Sequence, residues 1–134
     1  MKYIFKERYI LTPMNNLDGI TKAVVYEPSL ELAQLYAKYL RQQNFEPYIC
    51  GSHAVMISLA SAFSPHILIY NIDSGLEGLK SLKRAHPSIL IITIGDLPDT
   101  QLDALMDLGI SGHINRKVTR PRDVGILARQ LLKY

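Results

Sequence analysis

The side chains best placed to do chemistry stand at the ends of short apolar runs. Glu27 follows Val24-Val25-Tyr26, Asn71 follows Ile67-Leu68-Ile69-Tyr70, and Arg116 and Lys117 follow Gly112-His113-Ile114-Asn115. A carboxylate at the first position can favour the start of a following helix, where negative charge is stabilised. A carboxamide at the second can hydrogen-bond backbone at a loop entrance. Arg116 can stay on the surface or pair with Glu27. Other chemistries lack their residues: there is no glycine-rich phosphate loop, no Cys/His metal spacing and no G-x-S-x-G turn. His53, His66, His86 and His113 fall in unrelated segments, and the single cysteine, Cys50, has no partner for an internal disulfide. That fits a reducing compartment and an inert thiol.

The elements that must position these groups are legible in the hydrophobic pattern. A chain of 134 residues favours one domain, and 48% hydrophobic content with 20% charge suffices for a packed core and argues against disorder. Apolar runs at 23–26, 48–50, 67–70, 89–94 and 112–115 read as strands, three of them so rich in Val or Ile that both faces must be covered. Helical patterns lie between them. Ser29 is positioned as the N-cap of a first helix with the stripe Leu32, Leu35, Tyr36, Tyr39 and Leu40. A second helix over 53–63 carries Val55, Met56, Leu59 and Phe63, and a third spans 76–85 before Pro87. A fourth, starting near Pro98, is expected to bury Leu102, Leu105 and Met106; a fifth runs from Pro121 through Val124, Leu127, Ala128, Leu131 and Leu132.

Five strand-then-helix repeats with short links predict an α/β fold: a flavodoxin-like doubly wound five-stranded parallel sheet, order 2-1-3-4-5, with helices on both faces. In that order a ligand site belongs where strands 1 and 3 end, at Glu27 and Asn71. Residues 1–21 fall outside the alternation and read as an N-terminal arm or linker, packed on the 22–134 domain or docking on a partner. No run approaches the roughly 20 apolar residues of a membrane span, and the charges at 6–8 interrupt any signal peptide. The expectation is a cytoplasmic protein.

The segments Val24-Val25-Tyr26-Glu27-Pro28-Ser29, Pro65-His66-Ile67-Leu68-Ile69-Tyr70-Asn71 and Asp107-Leu108-Gly109-Ile110-Ser111-Gly112-His113-Ile114-Asn115-Arg116 together resemble the receiver domain of bacterial response regulators, of chemotaxis-regulator type, over nearly all of 22–134. Receivers accept a phosphoryl group on an aspartate at the end of strand 3, with a divalent ion neutralising the phosphoryl oxygens. The resemblance places that position at Asn71 when counted from Pro65, and at Tyr70 when counted back from Gly78; neither count reaches Asp73. An amide oxygen is a poor nucleophile, so a degenerate pseudo-receiver is implied. Of the family's acid pair on strand 1, Glu27 is kept and Pro28 has no side-chain oxygen. No cofactor is therefore expected beyond weak Mg²⁺ binding at Glu27 and Asn71. Arg116 stands for the family's lysine, Lys117 for its following proline, Thr93 lies one residue before its hydroxyl position, and His113 takes its switch-aromatic position.

Without phosphotransfer, the fold can still present surfaces. Asp99, Asp103 and Asp107 line one side of the fourth helix, while Arg116, Lys117, Arg120 and Arg122 cluster after strand 5 and Arg129 follows on the fifth helix. The expectation is a non-enzymatic signalling module binding a protein partner, with a homodimer through helix 4, strand 5 and helix 5 as one form. The alternatives are a phosphoacceptor with a rearranged acidic site and a nucleic-acid binder. The last is disfavoured because net charge is only +3 and no recognition helix or stacking motif accompanies the basic cluster.

Overall fold

The computed structural model describes residues 20–97, 99–117 and 119–132; of the arm expected at 1–21, residues 1–19 lie outside the described residues, and Thr21 opens the first strand. The elements are β1 (Thr21–Tyr26), α1 (Leu30–Gln42), β2 (Phe45–Cys50), α2 (His53–Phe63), β3 (Ile67–Asn71), α3 (Glu77–Ala85), β4 (Leu90–Ile94), α4 (Asp99–Asp107), β5 (Gly112–Ile114) and α5 (Arg122–Leu132). All sheet pairings are parallel, in the order β2-β1-β3-β4-β5. This is the flavodoxin-like arrangement that the alternation implied.

Every residue of β3 and β4 is buried, as expected of central strands with helices on both faces. Strand alternation divides the core in two. Val25, Ile67, Ile69, Ile92 and Ile94 pack under α1 and α5 with Tyr36, Leu40, Val124 and Ala128. Val24, Leu68, Tyr70 and Ile91 pack under α2, α3 and α4 with Met56, Leu79, Leu82 and Leu105.

Local chemistry sets the helix ends. Ser29 Oγ accepts from the Leu32 N–H at 3.4 Å and Ser52 Oγ from the Val55 N–H at 3.3 Å, each satisfying a free donor of a first helical turn. Among the described residues β2 is an edge strand of the sheet, and Pro47 blunts that edge. The Cys50 carbonyl accepts from the Glu27 N–H at 3.2 Å, so the backbone N–H and C=O groups of residues 46, 48 and 50 point to β1, and the backbone groups at positions 45, 47 and 49 point away from it. Pro47 thus removes a donor where another strand would otherwise add.

Three apolar side chains depart from the expected pattern, the first being Val55, which is 47% exposed on α2. Met106 is 41% exposed rather than buried, because α4 touches the core along the Leu105 line and Met106 lies one helical step round from it. Phe63, at the end of α2, is also on the surface, stacked on Tyr48 with ring centroids 4.5 Å apart and with Lys22 Nζ over its face.

Candidate functional site

The carboxyl ends of β1 and β3 bring Glu27 and Asn71 into direct contact. Both are nearly fully buried, at 4% and 3% exposure, and the Asn71 Nδ2 amide donates to Glu27 Oε1 at 2.8 Å. The remaining acceptors are also engaged. Glu27 Oε2 accepts the Ser29 N–H at 2.9 Å, and Asn71 Oδ1 accepts the Asp73 N–H at 2.7 Å. Glu27 therefore joins strand 1 to strand 3 and to the start of α1, while Asn71 caps the short 3₁₀ turn Ile72–Ser74. The carboxylate is thus stabilised by two protein N–H groups.

Arg116 pairs with Asp73 rather than Glu27. Its guanidinium donates to Asp73 Oδ2 at 2.7 Å across the mouth of the cluster. Geometry explains the choice: Asp73 projects from the turn with half its side chain exposed, whereas Glu27 is nearly fully buried. The bond to Asp73 is the main reason that the Arg116 pKa is raised. Such a partly exposed pair contributes little stability by itself, but it holds the β5–α5 connection against the β3–α3 turn. Lys117 is exposed and gives its backbone N–H to Asn115 Oδ1 at 3.0 Å. Pro28 is exposed at the entry to α1.

Thr93 is separated from this cluster by the sheet itself. Thr93 registers with Tyr70, and Ile94 with Asn71, so Thr93 lies on the α2–α3–α4 face and Asn71 on the other. There Thr93 Oγ1 meets His113 Nδ1 at 2.8 Å, the two residues being direct partners in the β4–β5 ladder. His113 Nε2 is buried without a hydrogen bond among the described residues, and burial lowers the imidazole pKa, with the Gly95 backbone opposing it. A lowered folded value means that the unfolded chain binds the proton more readily. Below about pH 6.5, stability should therefore fall with pH until the lowered folded value is passed. Urea midpoints measured from pH 7.5 to 5 should show that loss, and His113→Phe should flatten it.

Two features of the site were not singled out from sequence. Tyr36, named only as part of a helix stripe, faces the cluster from α1. Burial raises its hydroxyl pKa, the Glu27 and Asp73 carboxylates add to the effect, and Arg116 opposes it. On the opposite face, Tyr26, His53 and Tyr70 form an aromatic group in which the Tyr26 centroid is 4.9 Å from each of the other two rings. The Tyr70 hydroxyl donates to the Gly75 carbonyl at 2.8 Å and is 3.1 Å from His53 Nε2, with burial pushing its pKa up to about 12. Cys50 is likewise buried, its thiol pushed up to about 11, which makes it a weak nucleophile.

The expected interaction face is only partly assembled. Asp103 and Asp107 are exposed on α4, and Arg120 and Arg122 are exposed at the start of α5; the Asp99 side chain lies outside the described residues. Arg129 is directed elsewhere. Its guanidinium lies 4.8 Å from the Phe45 ring centre and donates to the Gln43 carbonyl on the α1 side. Burial there lowers its pKa. Among the described residues no group of three or more His, Cys, Asp or Glu could hold a metal, and no helix is long and apolar enough to cross a membrane.

No family model matches the chain, and no curated protein matches it. Its similarity is to solved structures. Chemotaxis protein CheY4 of Vibrio cholerae superposes with a TM-score of 0.74 at 12% identity, over 84% of this chain and 98% of that one. HP1043, an orphan response regulator of H. pylori, gives 0.74 at 15% identity over 84% and 96%. NtrX of Brucella abortus, solved in complex with ATP, gives 0.75 at 16% identity over 85% of this chain but 27% of that one, so the chain spans about a quarter of its length. Sheet order, helix placement and these superpositions agree: the chain has the receiver fold, a five-stranded parallel sheet with five helices.

Proposed function

We propose that the chain is a pseudo-receiver: a signal-transduction module that acts through protein–protein contact and does not depend on aspartyl phosphorylation. The observation that carries this reading is the Asn71–Glu27 hydrogen bond at 2.8 Å. A phosphoacceptor must present a carboxylate nucleophile at a site where a cation neutralises the incoming group. Here the side chain at the end of β3 is a carboxamide, and its N–H satisfies the neighbouring acid. Each Glu27 oxygen already accepts an N–H, so protein donors stabilise its charge, and the neutral Asn71 beside it offers a cation no second carboxylate.

The exposed acids of α4 and the arginines at the start of α5 support α4, β5 and α5 as the contact face, for a signalling partner or a second copy. Arg129 is left out of that face because it serves the α1–α5 packing. The N-terminal arm, expected over residues 1–21 and shortened by the start of β1 at Thr21, is proposed as a further contact segment.

The test is intact-mass analysis of the wild-type chain after incubation with a small-molecule phosphodonor and Mg²⁺. No covalent adduct is expected. A stable Mg²⁺-dependent adduct mapped to Asp73, the exposed carboxylate of the β3–α3 turn, would overturn the reading and identify a rearranged phosphoacceptor.

A further inference from the structure

Beside the strand-end cluster, between α1 and the start of α5, lies a cavity of about 210 Å³. Its floor is apolar and buried: Tyr36, Ile94, Ile114 and Val124 line it, each at most 5% exposed. Arg116 and Arg120 line the same space from the β5–α5 connection. Neither guanidinium is used up. Arg116 donates one N–H to Asp73, leaving further donors on the same planar group. Arg120 is exposed and anchored through its backbone N–H to Asp123 Oδ2 at 3.1 Å, and its guanidinium has no hydrogen-bond or ion-pair partner among the described residues.

We propose that this cavity binds a small aromatic carboxylate, with the ring on the apolar floor and the carboxylate held between Arg116 and Arg120. Volume selects the size. A cavity of about 150 Å³ lined by aliphatic side chains accommodates benzene, so 210 Å³ admits one ring and a short substituent. Charge selects the substituent. Guanidinium groups match a planar carboxylate through paired N–H bonds, whereas a phosphate dianion would bring more charge to desolvate against an apolar floor. A bound carboxylate would share the Arg116 guanidinium with Asp73, which couples the cavity to the β3–α3 turn beside the Glu27–Asn71 cluster. The binding itself does not rest on the absence of phosphotransfer.

The experiment is a titration of the full ¹⁵N-labelled chain with benzoate, followed by amide chemical shifts, with benzamide as the neutral isostere. Benzoate is expected to bind with Kd of about 1 mM, shifting residues 32–36, 114–116 and 119–124, and to bind several-fold more tightly than benzamide. Arg120→Ala should weaken benzoate about tenfold, while Arg122→Ala, at an exposed arginine that does not line the cavity, should leave it unchanged. Val124→Phe, which fills the space, should abolish the localised shifts in a chain whose spectrum remains dispersed. Equal responses to benzoate and benzamide, shifts scattered over the basic surface, or indifference to Arg120→Ala would each overturn the proposal.

Discussion

Asn71→Asp is expected to destabilise the fold by about 2–4 kcal/mol at neutral pH, and Mg²⁺ is expected to restore much of the loss. In the wild-type chain the Asn71 amide donates to Glu27 Oε1 at 2.8 Å, with both side chains nearly fully buried. The variant removes that donor and leaves two carboxylates facing each other. Like charges at such separation cannot both remain ionised cheaply, so the pair holds a proton above the ordinary carboxylate range. The folded state then binds more protons than the unfolded chain, and stability falls as pH rises through that window. The variant should therefore recover towards wild type on acidification from pH 7 to 5. A divalent cation offers the alternative compensation, since two adjacent carboxylates and water make a hard-oxygen site. At a hundredfold excess over its Kd, Mg²⁺ would return roughly 2.7 kcal/mol. Thermal melts of both proteins with and without Mg²⁺ check this. A variant as stable as wild type and indifferent to Mg²⁺ would show that the Asn71–Glu27 bond does not hold these strand ends together. If the same variant also acquires a phosphoryl adduct, Asn71 occupies the former acceptor position.

The second large effect belongs to the helix pair that carries the cavity. Gly125→Ala is expected to cost about 2–3 kcal/mol, at the upper end of overpacking losses and in spite of the gain of up to about 1 kcal/mol in helix propensity. A Cβ at this position would stand 2.4 Å from the Tyr39 carbonyl oxygen and 2.9 Å from its carbon. Those are backbone atoms in the last turn of α1, and no rotamer change can move them. The two helices would have to separate, disturbing the packing of Val124, Ala128 and Leu131 and the seat of Arg129 over Phe45. Gly78→Ala provides the contrast. Its Cβ would meet the His53 ring at 2.5 Å, but a side chain can rotate away, so a smaller loss is expected. Urea unfolding of the two variants ranks them, and a Gly125→Ala chain no less stable than Gly78→Ala would refute the assignment of a backbone-to-backbone contact.

The sequence by itself determined the architecture. Short β-branched runs, bounded by Ser29, Ser52, Pro65 and Gly109, alternate with amphipathic stretches, and a parallel sheet with right-handed crossovers has few ways to bury such a pattern. Solvent exclusion is a one-dimensional signal: period 2 or 3.6 in the chain says which face is covered. It also brought Glu27 and Asn71 to neighbouring strand ends, because strand order alone decides that. Partner choice was left to three dimensions. Arg116 binds Asp73 because Asp73 projects from the β3–α3 turn with half its side chain exposed, while Glu27 is nearly fully buried. Thr93 turns away from Asn71 because a single-residue step along a strand reverses its face, and it meets His113 instead. Arg129 leaves the charged face for Phe45, and Gly125 proves to be the close contact between α1 and α5, a role that no local pattern marks. Hydrogen-bond partnering, burial and close packing depend on distances between segments remote in the chain, so only the tertiary structure decides them.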